Sequence, residues 1–419
     1  MHQVALQCLE ANRDSQGLEN IFTRIIHSRA EFALQLIQRL VRIKISVPFL
    51  ADLLASIYSS IIGVEDPFSE ENVSVYRMLL QALYITLAAF AARVKEAPTE
   101  IDPDNVVKMT QASLNILDRV VGRGFRTLVT LVHEKDVADS SDDLALIIAV
   151  LQACLAMPDM DQQQTQILNI LAAHNAVHVA CSLYSWSDKM LAPDNDPIYG
   201  ELSLIFLVEL SKMPAIAEQL ACDGVVGQIS SANLTQFMRK GGISPVSEQT
   251  SAARCYGIWT KAMLPLLLNL LTSMGATIAP EIAYVLNQFP GLLQASVDRF
   301  EGPGASRTVT KGREAKHYVS LLAVTEVHNL GLLTRVLAAL RVNNNRDIPE
   351  VKWDAQSLAE YVDFWLTTRR VLRERLLPIG AREADWKGMK ARREGCENLL
   401  EEKVVAEMEA ARDVLGEVS

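Results

Sequence analysis

His174 and His178 stand four residues apart, the spacing that sets two imidazoles on one face of a helix, as a pair of metal ligands requires. In the H-E-x-x-H arrangement a glutamate follows the first histidine and acts as general base. Here that place holds Asn175, and no third ligand stands near in sequence. The pair therefore reads as two polar residues along one helix edge. Gly122-Arg123-Gly124-Phe125 lacks the third glycine and the preceding strand of a dinucleotide loop. Neither a G-x-x-x-x-G-K-[ST] phosphate loop nor a G-x-S-x-G nucleophile elbow occurs. Asp142-Asp143 and Glu70-Glu71 could serve as acid–base pairs, but their places assign them to first helical turns, where carboxylates complement the macrodipole. His133-Glu134-Lys135-Asp136 reads as a polar helix end. No catalytic residue, metal site or cofactor is expected, and the chain does not read as an enzyme.

The elements that carry these residues are helical throughout. Tyr76, Leu79, Leu83, Leu87, Phe90 and Val94 recur at three- and four-residue steps. Leu34, Ile37, Val41 and Ile45 do the same, and Leu36, Leu40 and Ile43 widen the stripe. A stripe that wide implies contact on two sides, as for a helix inside a stack. Asp102-Pro103 and Asp196-Pro197 place a cap acceptor before a proline at the first helical position. Ser140 with Asp143, and Asp161 with Gln164, have capping-box spacing. No Asn-Gly or Asp-Gly turn is flanked by alternating β-branched residues. The pattern predicts about fifteen to eighteen helices joined by short turns.

Leu202–Leu210, the turn Ser211-Lys212-Met213-Pro214, Ile216–Cys222 and the opening Asp223-Gly224-Val225-Val226 have the form of an armadillo-type unit. A fainter echo begins at Leu168, about forty residues earlier, near the period of such repeats. Longer breaks fall at Ala97–Pro103, Gly241–Thr250 and Glu301–Gly312. The fold class expected is all-α, a right-handed superhelical solenoid of degenerate armadillo/HEAT-like repeats. Its parts are a solenoid over 1–300, a mobile loop over 301–312 and continuing C-terminal helices over 313–419 that end in a long charged helix, one continuous solenoid in all.

With 419 residues the chain exceeds one compact core, and its net charge of −10 argues against a nucleic-acid partner. The six cysteines, Cys8, Cys154, Cys181, Cys222, Cys255 and Cys396, show no C-x-x-C spacing and sit mostly among apolar residues. They read as free thiols of an intracellular protein. No secretory signal opens the chain, and its start within a helical pattern suggests a fragment of something longer. Toward the end, Arg369, Arg370, Arg373 and Arg375 cluster, followed by Lys387, Lys390, Arg392 and Arg393 and then by Glu394, Glu397, Glu401, Glu402, Glu407 and Glu409. Such patterning normally marks a solvated terminal helix that caps a stack. The competing reading is an arginine-lined face for an acidic partner, with Arg369, Arg370 and Arg373 as partner-binding candidates.

Ala262–Pro280 holds no charge and is long enough to cross a bilayer. Pro265, Asn269, Thr272-Ser273, Gly275 and Pro280 divide it. The reading is a buried helix from Tyr256 to Leu271, a turn from Thr272, and a new helix from about Ala279. Met78–Ala92 and Leu144–Met157 are also uncharged, but each is too short to span.

Tyr256-Gly257-Ile258-Trp259, Leu264-Pro265-Leu266-Leu267-Leu268-Asn269-Leu270-Leu271, Ile278-Ala279-Pro280-Glu281-Ile282-Ala283 and Leu286-Asn287-Gln288-Phe289-Pro290 together resemble the C-terminal part of the large inner-ring scaffold nucleoporins. Within that family the likeness is greater to the one-eighty-eight branch than to the one-ninety-two/two-oh-five branch. The resemblance is sharpest over these residues and extends across the helical pattern. It implies a structural scaffold of the nuclear pore's inner ring, at the nuclear envelope without spanning it, with a role in nucleocytoplasmic transport. The implied partners are short helical segments of linker nucleoporins, notably the ninety-three/ninety-six-type adaptor, and phenylalanine-glycine repeat nucleoporins. The isolated fragment is expected to be monomeric. A soluble karyopherin-like transport receptor or cargo adaptor shares the solenoid and the acidity, and is the alternative. Dependence on a small transport GTPase in its GTP state would favour the receptor.

Overall fold

The computed structural model describes residues 3–4, 7, 21–44, 46–96, 102–135, 140–191, 195–301, 318–344 and 347–416. The break at 97–101, the loop from Gly302 and the residue Cys8 lie outside them. The chain forms two compact units, Met1–Ala180 and Cys181–Ser419. The first contains α1 (Ile21–Arg42), α2 (Val47–Ile62), α3 (Val73–Glu96), α4 (Pro103–Ile116), α5 (Arg123–Lys135), α6 (Ser141–Leu155) and α7 (Gln164–Ala173); the division falls within α8 (Ala176–Trp186). The second contains α9 (Ile198–Ser211), α10 (Pro214–Cys222), α11 (Val225–Ser231), α12 (Asn233–Arg239), α13 (Thr250–Ile258), α14 (Leu264–Met274), α15 (Ala279–Asn287) and α16 (Pro290–Asp298). It closes with α17 (Leu321–Asn344), α18 (Ala355–Thr367), α19 (Arg369–Arg375), α20 (Gly380–Gly388) and α21 (Leu399–Leu415). These outnumber the expected helices because many are short, α11 and α12 having seven residues each. No strand occurs among the described residues; two isolated bridges join Val319 to Leu376 and Lys390 to Asn398.

The two-sided packing expected of the Leu34–Ile43 stripe is found in α3 instead: α1 packs chiefly against α3, and Ile43 lies past its end, 63% exposed. α3 packs against α1, α2 and α6, so Tyr76, Leu79, Leu83, Leu87 and Phe90 are all buried. Each such side chain contributes about 1.5–3 kcal/mol by leaving water. α3 has 24 residues, longer than its uncharged run, taking in Arg77 at its start and Arg93, Lys95 and Glu96 at its end; Arg77 donates to Asp143 at 2.7 Å. Two helices among the described residues, Val73–Glu96 and Leu321–Asn343, are long and apolar enough to cross a membrane, each with 56% of its most apolar window buried within the protein.

The helix ends show which local signals are decisive. Asp102 caps α4 as expected, its carboxylate accepting from the Asp104 N–H at 3.1 Å with Pro103 at the first position. Asp196 does not cap: α9 begins one residue later, and both of its oxygens accept from Arg254 at 2.7 Å. Ser140 makes no cap bond, because Asp143 turns to Arg77. Gln164 donates to the Asp161 carbonyl at 3.0 Å, so this pair closes a turn of 3-10 helix rather than a capping box. Glu70-Glu71 lie in the turn before α3, not inside its first turn. α9, α10 and α11 follow the expected armadillo-type boundaries, and Gly224 takes the left-handed conformation (φ 69°) that lets the chain turn between α10 and α11.

The uncharged stretch is one bent helical run rather than a helix ending at Leu271. α13 passes through a π turn, Trp259–Met263, directly into α14, with the Leu264 N–H reaching back to the Trp259 carbonyl. A proline ring clashes with the carbonyl four residues before it, and the widened turn just ahead of Pro265 relieves that clash. Thr272 continues the helix with its hydroxyl on the Leu268 carbonyl at 2.8 Å. The break comes at Gly275 (φ 53°), and α15 then starts at Ala279 with Pro280 in its first turn, as expected.

Beyond Thr368 the charged tail is three helices, α19, α20 and α21. α21 buries Leu400, Val404, Val405, Met408, Ala411 and Leu415 in a core with α17 and α18. The expectation of a solvated helix is corrected on that face: the acids dominate its composition, while the apolar residues between them form the buried stripe.

Candidate partner-binding surfaces

The residues that carried the family likeness converge on Glu326 of α17, which is fully buried. The Tyr256 hydroxyl donates to one of its oxygens at 2.6 Å, and the Trp259 indole N–H to the other at 2.8 Å. Arg299 bonds the same carboxylate, donates to the Tyr256 hydroxyl at 2.9 Å, and stacks 4.6 Å over the tyrosine ring. The Trp259 ring meets Phe289 at 4.7 Å between centroids. Burial, and then the Glu326 charge, push the Tyr256 phenol well above its ordinary range. A buried carboxylate is tolerable only when bonded on all sides, and this one joins α13, α17 and the end of α16. Four sequence-distant groups thus act as a structural clasp.

Asn287, from the same stretch, fixes a groove. Its amide donates to the Glu350 carbonyl at 2.8 Å and accepts from the Lys352 N–H at 3.0 Å. Trp353 donates to the Ser296 hydroxyl at 3.0 Å. The segment so pinned and the end of α17 enclose a groove of about 320 Å³ with Leu337, Ala338, Val351 and Trp353 on its walls. Arg341 and Glu350, 3.2 Å apart, stand at its rim. A smaller slot of about 150 Å³ lies between Pro245-Val246, Tyr318, Ala323 and Leu377. An apolar crevice of about 10 Å³ separates Val226 and Ile229 from Met263, Leu266 and Val285. Patterning could not announce these surfaces, because Asn287, Glu350 and Trp353 acquire their roles only when folding brings them together.

The candidate residues from the sequence fare differently. Arg373 is taken up within the fold, bonding Glu401 at 2.8 Å, Glu397 at 2.9 Å and the Gly395 carbonyl at 2.5 Å. Arg369 lies 3.6 Å from Glu409. Arg370 projects outward, its side chain 92% exposed beside Glu374. His174 and His178 do not share a helix, since α7 ends at Ala173 and Asn175 turns the chain with φ 53°. His174 instead bonds Asp118 at 2.7 Å, with its ring where a Cβ on Gly122 would come within 2.4 Å. No group of three or more potential metal ligands occurs among the described residues. Among the described residues five cysteines are free thiols; burial pushes Cys181 up to about 11 and Cys255 to about 12.

An all-α chain of short helices, with the armadillo-type succession α9, α10 and α11, defines the class of helical-repeat proteins. The family described as the nuclear pore protein NUP188 C-terminal domain matches residues 53–415. The chain is 46% identical to nucleoporin NUP188 of Chaetomium thermophilum, over 99% of this chain and 24% of the relative. It is 23% identical to nucleoporin NUP188 of Saccharomyces cerevisiae, over 54% of this chain and 13% of that protein. The solved structure of Nup188(aa1445-1827) from Myceliophthora thermophila superimposes with a TM-score of 0.76 at 51% identity, over 87% of this chain and 98% of that one. The chain belongs to the NUP188 C-terminal domain family of nuclear pore proteins, with its helical-solenoid fold. It spans about a quarter or less of the length of these curated relatives.

Proposed function

We propose that this chain is part of a structural scaffold of the nuclear pore's inner ring, and that it binds short amphipathic helices of linker nucleoporins, the ninety-three/ninety-six-type adaptor first among them. The groove beside α17 is the observation that carries this reading. Its apolar part includes Leu337, Ala338, Val351 and Trp353, its lining is polar or charged at Thr334, Arg341, Glu350, Asp354 and Gln356, and Asn287 and Trp353 hold it in shape. A preformed groove of that kind suits a helix that lays one face down, since little ordering is needed on the scaffold side. The slot at Val246 and Tyr318 is dimensioned for a single side chain, and we assign it to a phenylalanine of phenylalanine-glycine repeats. The chain works at the nuclear envelope without spanning it, and as a monomer when isolated.

Titration calorimetry of synthetic linker-nucleoporin helices against the chain tests the reading. Binding is expected without any nucleotide, and Ala338→Arg, which fills the groove, is expected to weaken it by about tenfold or more. Absence of binding by every linker helix removes the assignment for this chain. Binding that requires the GTP-loaded transport GTPase would convert it to the receptor reading.

A further inference from the structure

The least buried part of the second unit has a charge character opposite to that of the chain. α20 buries none of its residues. It is anchored at its start, where the Ile379 N–H donates to Glu383 at 2.8 Å. Trp386, half-buried, is flanked by the Arg382 guanidinium at 4.9 Å and the Lys403 ammonium at 4.6 Å from its ring centre. Next to it Met389 is 50% exposed. Lys387, Lys390 and Arg392 are exposed as well. Lys387 has only a long bond, 3.4 Å, to the Leu376 carbonyl.

The carboxylates packed near this surface are already engaged. Glu397 and Glu401 bond Arg373, and Glu409 bonds Arg393 through both oxygens. Glu402 accepts the backbone N–H groups of Arg392 and Arg393, and Glu407 pairs with His328. Asp385 and Glu394 are the exposed acids that remain here among the described residues. The result is a compact cationic surface with an apolar centre on a molecule whose net charge is −10.

We infer that the face formed by α20 and the turn through Lys390 and Arg392, with Lys403 beside it, docks an acidic peptide segment of a partner protein. The partner's carboxylates meet Lys387, Lys390 and Arg392, and one apolar side chain lies on Met389 and the open part of Trp386. Charge complementarity selects this occupant: on a chain of net charge −10, a cluster of exposed cations whose neighbouring acids are mostly engaged steers an acidic segment to this face. A single-stranded nucleic acid fits less well. Trp386 is half-buried against the core and already has two cations over its ring, which restricts base stacking, and Asp385 and Glu394 interrupt the track that a continuous phosphate backbone needs. The surface is distinct from the groove beside α17, so the inference stands or falls independently of what that groove binds.

Fluorescence anisotropy with the full chain tests it, using a labelled peptide of glutamates interrupted by leucine and phenylalanine. Its lysine counterpart and a short single-stranded RNA serve as competing probes. The acidic peptide is expected to bind, and to bind less tightly when salt is raised to about 0.3 M. The triple variant Lys387→Glu/Lys390→Glu/Arg392→Glu is expected to weaken binding by about tenfold or more with circular dichroism unchanged, since none of the three is buried. Met389→Ala is expected to weaken it about threefold while leaving the salt dependence intact. A control with the same charge change, Lys95→Glu/Lys108→Glu/Arg126→Glu, replaces exposed cations of the first unit and is expected to leave binding within about twofold of the unaltered chain. The inference is overturned if the acidic peptide does not bind, if the control weakens it as much as the triple variant, or if the lysine peptide or the RNA binds more tightly.

Discussion

Glu326 and Glu401 are both shut off from solvent, and both meet an arginine, yet the means of holding them differ. Glu326 sits in the body of α17, and every group that satisfies it comes from elsewhere: Tyr256 and Trp259 from 70 and 67 residues away, Arg299 from 27. Glu401 sits in the first turn of α21, where much of the solution is local. Asn398 accepts from the Glu401 N–H at 2.9 Å, and Glu401 accepts from the Glu397 N–H at 2.7 Å. The arrangement is like a capping box with its return bond shifted to the residue before the cap, and it is further favoured by the helix dipole. A buried charge in a helix body depends on the tertiary fold; one at a helix start is largely satisfied before the fold closes around it.

Removing the arginine from each site should separate them. Arg299→Met leaves Glu326 charged without its counter-ion and is expected to cost about 3–5 kcal/mol. Its loss would be read from the urea midpoint by tryptophan fluorescence, since all five tryptophans lie in the second unit. Adding Glu326→Gln should restore a large part of that loss; no restoration would mean that the arginine acts through packing rather than charge. Arg373→Met should cost less, about 1.5 kcal/mol, because Glu401 keeps its backbone donor. Equal losses at the two sites would break the comparison.

The same contrast explains what the sequence disclosed. Asp102-Pro103 could be read as a helix start because cap and proline act within a few residues of each other. Gly224 was legible as a turn for the same reason. Asp196 and Asp143 carried equally good local signals, but arginines 58 and 66 residues away took them over. The stretch from Tyr256 to Pro290 could be recognised by its likeness to a family, yet its physical role stayed hidden because Glu326, Arg299 and Glu350 complete it from outside. Arg373 looked like a surface cation in a basic run; its partners Glu397 and Glu401 stood in the acidic run that follows, and only the fold shows that the two runs pair. What remains unpaired, at Lys387, Lys390 and Arg392, could be found only after that subtraction.

The two sites should also fail at opposite ends of the pH scale. Burial raises the Tyr256 phenol above its free value of about 10. Below that value both folded and unfolded chains hold the proton, and the stabilisation is fully present. Above it the unfolded chain ionises first, so stability falls as pH rises toward the folded value. Tyr184 in the same unit is shifted in the same direction, so Tyr256→Phe should make the alkaline loss shallower without abolishing it. Around Glu401 the shifted acids are Glu402, lowered by the Arg392 and Arg393 N–H groups, and Glu409, which the bond from Arg393 holds below the usual carboxylate range. The contribution of Glu409 is present above about pH 4.3 and is lost as pH falls through the lower folded value. Glu409 is partly exposed, and screening limits the pair to about 0.2–1 kcal/mol at neutral pH. Glu409→Gln should therefore flatten the acid side of the stability profile slightly and leave the alkaline side untouched. A Glu409→Gln profile that changed on the alkaline side would show that the clasp at Glu326 and the tail network are energetically one unit.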